Sequence, residues 1–185
     1  MSDTLTLPAT GTYQVDPVHS SVNFVARHLV GSKVRGRFTD FSGTVVIADP
    51  IASSSVTAEV ALASVDTGNE QRDGHLRSGD FFDIEAHPTV TLKSTGLEHV
   101  DGAEWKLTAD LTVRGVTKPV VFDLEYLGAG PGMAPGVEVV AFSASTDIDR
   151  RDFGVSFSGT LDNGGLIVGN KVHLELEIEA NRQVS

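Results

Sequence analysis

The sequence predicts an all-β protein in which one antiparallel sheet closes around a single interior. Two observations predict it. Apolar and polar residues alternate with a period of two over most of the 185 residues, which gives strands with one dry and one wet face. Turn-forming residues separate the alternating runs, so neighbouring strands return antiparallel and bury one face only. The single break in the pattern, at 66–88, reads as short helices between strands rather than as a second domain.

Taken in order, a first strand over 22–28 puts Val22, Phe24, Ala26 and His28 on one face, with Ser21, Asn23 and Arg27 opposite. Over 56–62, Val56, Ala58, Val60 and Leu62 alternate with Thr57, Glu59 and Ala61. Asn69 is placed as an N-cap for a helix containing Arg72, Asp73, His75 and Leu76. The pair Phe81 and Phe82 follows, so this excursion suits a cover over one barrel end. Trp105, Leu107, Ala109, Leu111 and Val113 form the next dry face, then Val120, Phe122, Leu124 and Tyr126. The last run sets Val172, Leu174, Leu176, Ile178 and Ala180 against Lys171, His173, Glu175, Glu177 and Glu179. Turns are expected at Asp49-Pro50, Asp101-Gly102, Arg114-Gly115, the Gly- and Pro-rich loop 128–136, and "DNGG" at 162–165. The expected organisation is a flexible lead at 1–10, one barrel domain at 11–182 and a tail at 183–185.

Composition narrows the function. With 14 Lys+Arg against 25 Asp+Glu the net charge is -11. That argues against nucleic acid, whose binding needs Lys and Arg to displace counterions, and against anionic lipid surfaces, which attract basic clusters. The chain has no cysteine, so disulfides and thiolate chemistry are excluded. Its start has neither a basic segment nor an apolar run of signal-peptide length, and no stretch approaches the ~18 apolar residues of a membrane-spanning helix. A cytoplasmic location without stable membrane insertion is the expectation.

The candidates for chemistry are weak as a set. None of the six His forms an i,i+2 pair, an i,i+4 pair or an H-E-x-x-H motif, so no metal site is expected. His19 or His75 could be combined with Ser20 and Asp73 as a triad, but the G-x-S-x-G elbow is missing and "GVSFSG" at 154–159 has the wrong spacing. Arg72 and Asp73 are read as ties from the helical segment to the barrel rim, and Arg150 or Arg151 as a partner for a carboxylate. Small residues assigned to inward positions, Ala26, Ala58, Ala109, Ala141, Ser143 and Ser145, leave room inside the barrel. No catalytic residue, cofactor or metal is assigned.

The stretches "YQVDPVHSSVNFVARHL", "VRGRFTDFSGTV", "VDTGNEQRDGHLRSGDFFDIEAHPTVTLKST", "LTVRGVTKPV" and "RRDFGV" together resemble the YceI-like family from about Gly11 to Asn181. The resemblance implies a lipocalin-like, extended antiparallel β-barrel of about eight strands with a long apolar cavity. It also implies a polyisoprenoid or isoprenoid-quinone-like lipid as cargo, and a homodimer. The residues expected to touch such a ligand are Phe24, His28, Phe38, Phe41, Phe81, Phe82, Trp105, Phe122, Tyr126, Phe142 and Phe153. His19 and Ser20 are read as parts of a structural hydrogen-bond network, whereas an inward His28 could orient a polar head group. The leading expectation is non-enzymatic binding, storage or transport. Two alternatives stand beside it: an enzyme using His19, His28 or His75 on a lipid, and a filled barrel acting as a structural or interaction module.

Overall fold

A computed structural model describes residues 6–29, 31–159 and 167–184. The turn expected at 162–165 and the outermost parts of the lead and tail lie outside the described residues. The strands are β1 (Gly11–Val15), β2 (Ser21–His28), β3 (Ser32–Phe38), β4 (Phe41–Ile47), β5 (Ser55–Ala61), β6 (Val65–Asp66), β7 (Thr89–Asp101), β8 (Glu104–Val113), β9 (Val116–Pro131), β10 (Val137–Asp149) and β11 (Val168–Gln183). A single α-helix among the described residues, α1 (Glu70–Arg77), lies between β6 and β7.

The sheet runs β1-β4-β5-β7-β8-β9-β10-β11 and closes where β11 pairs with β1, an antiparallel barrel of eight strands. Closure leaves β1 and β11 without a free edge, while β2, β3 and β6 branch from β11 and β6 covers β3 only at Arg37 and Phe38. The wall is built from interrupted strands at one place. β1 pairs with the C-terminal end of β11 at Gln14↔Asn181, and β2 pairs with its N-terminal half from Ser21↔Glu177 to His28↔Val168. β4 and β3 follow the same division, with Gln14↔Thr44 in one half and Val22↔Phe38 in the other. β1 and β2 therefore act as one wall strand kinked at 16–20, where extra residues bend it as a bulge does.

Alternation holds along the wall. Ala109, Leu111, Val113, Val120 and Phe122 are buried together at the α1 end of the barrel, which we call upper. Tyr13, Val45, Ile47, Tyr126, Val140 and Ala180 form a second cluster at the lower end. Arg114-Gly115 makes the expected turn, with Val113 paired to Val116 and both turn residues at positive φ, 49° and 73°. That is the two-residue hairpin geometry for which glycine suits the second position. One strand is corrected. Ala141, Ser143 and Ser145 do not face inward; Val140, Phe142 and Ala144 do, and Ser143 donates from the outer face to Glu177. Both parities of this strand carry small residues, so alternation alone did not decide. A register shift between Ala141 and Phe142 against β9 further separates its two halves.

Residues 6–10 of the expected lead are tied to the barrel at backbone carbonyls. The Tyr126 hydroxyl donates to the Thr6 carbonyl, the Tyr13 hydroxyl to Ala9 at 2.9 Å, and Arg182 to Thr10 at 2.8 Å.

At the upper end α1 starts as expected, with the Asn69 side chain accepting from the Arg72 amide, the bond that defines an N-cap. Arg72 donates to the Thr67 hydroxyl and carbonyl at 2.7 and 2.9 Å. Asp73, 4% exposed, accepts from the Thr67 amide and hydroxyl at 2.9 and 2.5 Å. The ties thus run to the loop that leaves β6, and β6 is hydrogen-bonded to β3. Asp73→Ala strands a part-buried amide and hydroxyl of Thr67 and should lower stability by about 1–3 kcal/mol. Asp73→Asn, which keeps an acceptor oxygen, should lose less; denaturant midpoints of the two variants check this order.

Candidate functional site

The barrel interior is not filled. An upper chamber of about 220 Å³ lies beneath α1, lined by β2, β3, β5, β8 and β11 and by Leu76, Phe81 and Phe82. A lower chamber of about 140 Å³ lies among Val45, Ile47, Val56, Leu97, Leu107, Leu124 and Phe142. Val15, Ala58, Leu92, Phe122, Leu176 and Ile178 line both, so the chambers meet at a waist. The small residue Ala58 keeps that waist open. Such a void is costly: at roughly 24 cal/mol per Å³, chambers of this size forgo on the order of 5–10 kcal/mol, comparable to the net stability of a domain. This geometry departs from the filled barrel.

Of the eleven residues expected to touch a ligand, eight line the lumen. Phe24, Phe38, Phe41, Phe81, Phe82 and Phe153 face the upper chamber, Phe142 the lower, and Phe122 both. The aromatics form a connected group above, with Phe24 and Phe38 centroids 5.5 Å apart and Phe38 and Phe82 centroids 6.1 Å apart. His28, Trp105 and Tyr126 are not on the lining. His28 is half-buried beyond Ala26 at the upper end of β2. Trp105 sits one inward position below Leu107 and meets His99 edge-on at 4.7 Å. Tyr126 belongs to the lower cluster, its ring 5.7 Å from that of Phe142. In each case the parity is right and the position along the strand lies past the end of the lumen.

The triad ingredients are not brought together. The Ser20 hydroxyl donates to the Glu179 carbonyl and accepts the Glu179 amide. Asp73 is held by Thr67, and His75 meets Asp80 at 2.8 Å while standing edge-on to Phe81 and Phe157. His19 lies in the kink, where its Nδ1 is 2.9 Å from the Asp16 carboxylate and 3.9 Å from Glu179. Asp16, His19 and Glu179 are spaced closely enough to hold a metal ion. Histidine spacing could not have found this group, because Glu179 comes from the other end of the chain.

Hydrogen bonding to Asp16 raises the His19 pKa above the ordinary 6.5, and the same contact lowers that of Asp16. The sign follows from linkage. The His19 contribution is fully present below the ordinary histidine value and is lost as pH rises through the raised one. The Asp16 contribution is present above the ordinary carboxylate value and is lost as pH falls through the depressed one. The kink is therefore tied best between the ordinary carboxylate and histidine values, 3.8 and 6.5. An NMR titration should place His19 above 6.5, and Asp16→Asn should bring it back down.

One charged group reaches the lumen lining among the described residues, Arg150. Of the adjacent arginines, Arg151 is the one that finds a carboxylate, with two bonds to Asp149 at 3.0 and 2.6 Å. That fork holds the Asp149 carboxyl down to about 2. Arg150 instead turns inward, 5% exposed, onto backbone carbonyls. Nothing in the run "DIDRRDFG" distinguishes the two in advance.

A closed eight-stranded antiparallel barrel with an apolar, two-chambered lumen defines a class of small-molecule container. The sequence model of the YceI-like domain matches residues 13–180, and the chain belongs to that family. Among its relatives, a UPF0312 protein of Staphylococcus epidermidis is 33% identical over 171 residues, covering 90% of this chain and 95% of the relative. A UPF0312 protein of Staphylococcus aureus is 32% identical over 168 residues, with the same coverage. Among solved structures, a YceI protein of Campylobacter jejuni is 32% identical with a TM-score of 0.73, covering 85% of this chain and 90% of that one. A polyisoprenoid-binding domain from Saccharophagus degradans has the same fold at 17% identity, with a TM-score of 0.70 over 94% of this chain and 98% of that one.

Proposed function

We propose that this protein binds, stores or carries a long apolar isoprenoid or isoprenoid-quinone-like lipid in its lumen, without turning it over. The observation that carries the reading is the waist: two apolar chambers that share lining residues offer one path to a flexible chain. Lipid cargo is consistent with the family and with the description of the Saccharophagus degradans neighbour. The energetics suffice. At ~0.3 kcal/mol per heavy atom, a ligand of ~30 atoms gains ~9 kcal/mol, a sub-micromolar affinity.

The test is to extract gently purified protein with organic solvent, identify the released lipids by mass spectrometry, and weigh the intact protein under native conditions. The expected result is one isoprenoid species at near-stoichiometric amount. Protein that emerges empty and also refuses added polyprenols and quinones overturns the reading. Chemical change of an added lipid on incubation overturns the non-enzymatic part. The family resemblance also implies a homodimer, which light scattering reads directly.

A further inference from the structure

Arg150 is out of place in an apolar lumen. It is 95% removed from solvent by the barrel, at 5% exposure, and a guanidinium stays charged under such conditions. Its direct hydrogen-bond partners are three backbone carbonyls and an amide oxygen, and the nearby Asp149 carboxylate acts on it only through space. Nε donates to Gly169 at 3.0 Å and Nη1 to Val155 at 2.8 Å. Nη2 donates to the Val168 carbonyl at 3.3 Å and to the Asn170 side-chain oxygen at 3.2 Å. A guanidinium carries five N–H donors. The second N–H of Nη1 has no acceptor among the described residues, on a side chain that lines the upper chamber.

We infer that Arg150 is the head-group anchor of the lumen: its remaining N–H donates to one neutral carbonyl oxygen, as in a quinone, of a lipid lying head-up with its chain passing the waist into the lower chamber. The inference rests on the container reading above. Three observations set the chemistry and the direction. A single remaining donor suits a single acceptor, whereas a phosphate would bring several charged oxygens into a chamber with no second cation on its lining among the described residues. The four existing partners already stabilise the cation with dipoles, so a full anion is not required. Among the described residues the lower chamber has no charged residue on its lining, and the Ser54 hydroxyl accepts from the Ala48 amide, which suits a hydrocarbon tail. Asn23 and Ser42 are the other polar residues along the upper lining, and the Asn23 amide donates to Ser21.

The experiment compares three probes of equal chain length, a polyprenyl benzoquinone, a polyprenyl phosphate and a polyprene hydrocarbon, on wild type, Arg150→Lys and Arg150→Met. Wild type should prefer the quinone over the hydrocarbon by about 10- to 100-fold, the range for a hydrogen bond to a charged group. Arg150→Met should erase that preference, so that quinone and hydrocarbon bind the variant alike. Because Arg150 also clamps Val155 and Val168 to Asn170, a second measurement uses wild type alone. Infrared spectra of quinone carrying ¹³C carbonyls should show one carbonyl stretch moved to lower frequency on binding, relative to hydrocarbon solvent. Equal affinities with no such movement overturn the anchor and leave Arg150 as a clamp only. Preference for the phosphate overturns the neutral head group. Refusal of all three probes overturns the container reading itself.

Discussion

Ala58→Phe should weaken the binding of a long polyprenyl lipid about a hundredfold while the barrel stays folded. Ala58 faces both chambers at the waist, on the central row where Gly43, Ala58 and Leu92 pair across β4, β5 and β7. A phenyl ring there enters existing void, so the overpacking cost should fall near the low end of the ~1–3 kcal/mol range. A chain stopped at the waist loses the lower chamber. Excluding ~10 heavy atoms at ~0.3 kcal/mol each removes ~3 kcal/mol, or a factor of ~100. Titration with a long and a short polyprene separates the outcomes: the long chain should weaken and the short one, confined to the upper chamber, should not. Equal affinity of wild type and variant for the long chain would show that cargo does not thread the waist.

Phe122→Ala should be the most destabilising change in the lumen. Phe122 is 1% exposed, belongs to the upper core cluster and lines both chambers. Truncating a buried Phe costs ~3–5 kcal/mol. The value here should lie near 3, because the faces turned to the chambers lack partner atoms already. Guanidinium unfolding curves measure it directly. A loss below ~1 kcal/mol would mean that the ring stands largely free in the lumen and that the waist is not a packed constriction. Saturating lipid should recover part of the loss in the variant, since a ligand that binds only the folded state adds to its stability.

Much of this fold was legible because a strand's period is short and strict. β2, β5, β8, β9 and β11 showed their dry faces in the residues themselves, and the Asn69 cap and the Arg114-Gly115 turn rest on local chemistry. β10 was misread where both parities are small. The site was legible in type and not in extent. Parity places Trp105 and His28 on the right face, yet nothing in it says where the lumen stops along a strand. Long-range placement was the other blind spot. Asp16 and His19 meet Glu179 only because the closing strand returns past the kink. Arg150 and Arg151, adjacent in sequence, part company because one fork finds Asp149 outside and the other turns into the lumen.

On the container reading, the open lumen ties the lifetime of this protein to its occupant. An empty chain lacks the contacts that an occupant supplies, and occupancy at a hundredfold excess over Kd stabilises by ~2.7 kcal/mol. In a cell, proteases remove chains in proportion to the time spent unfolded, and shifts of ~1–2 kcal/mol change abundance several-fold. On the container reading, unloaded molecules are thus cleared first and loaded ones persist. The amount of carrier then follows the supply of lipid by degradation alone, with no sensor and no change in synthesis.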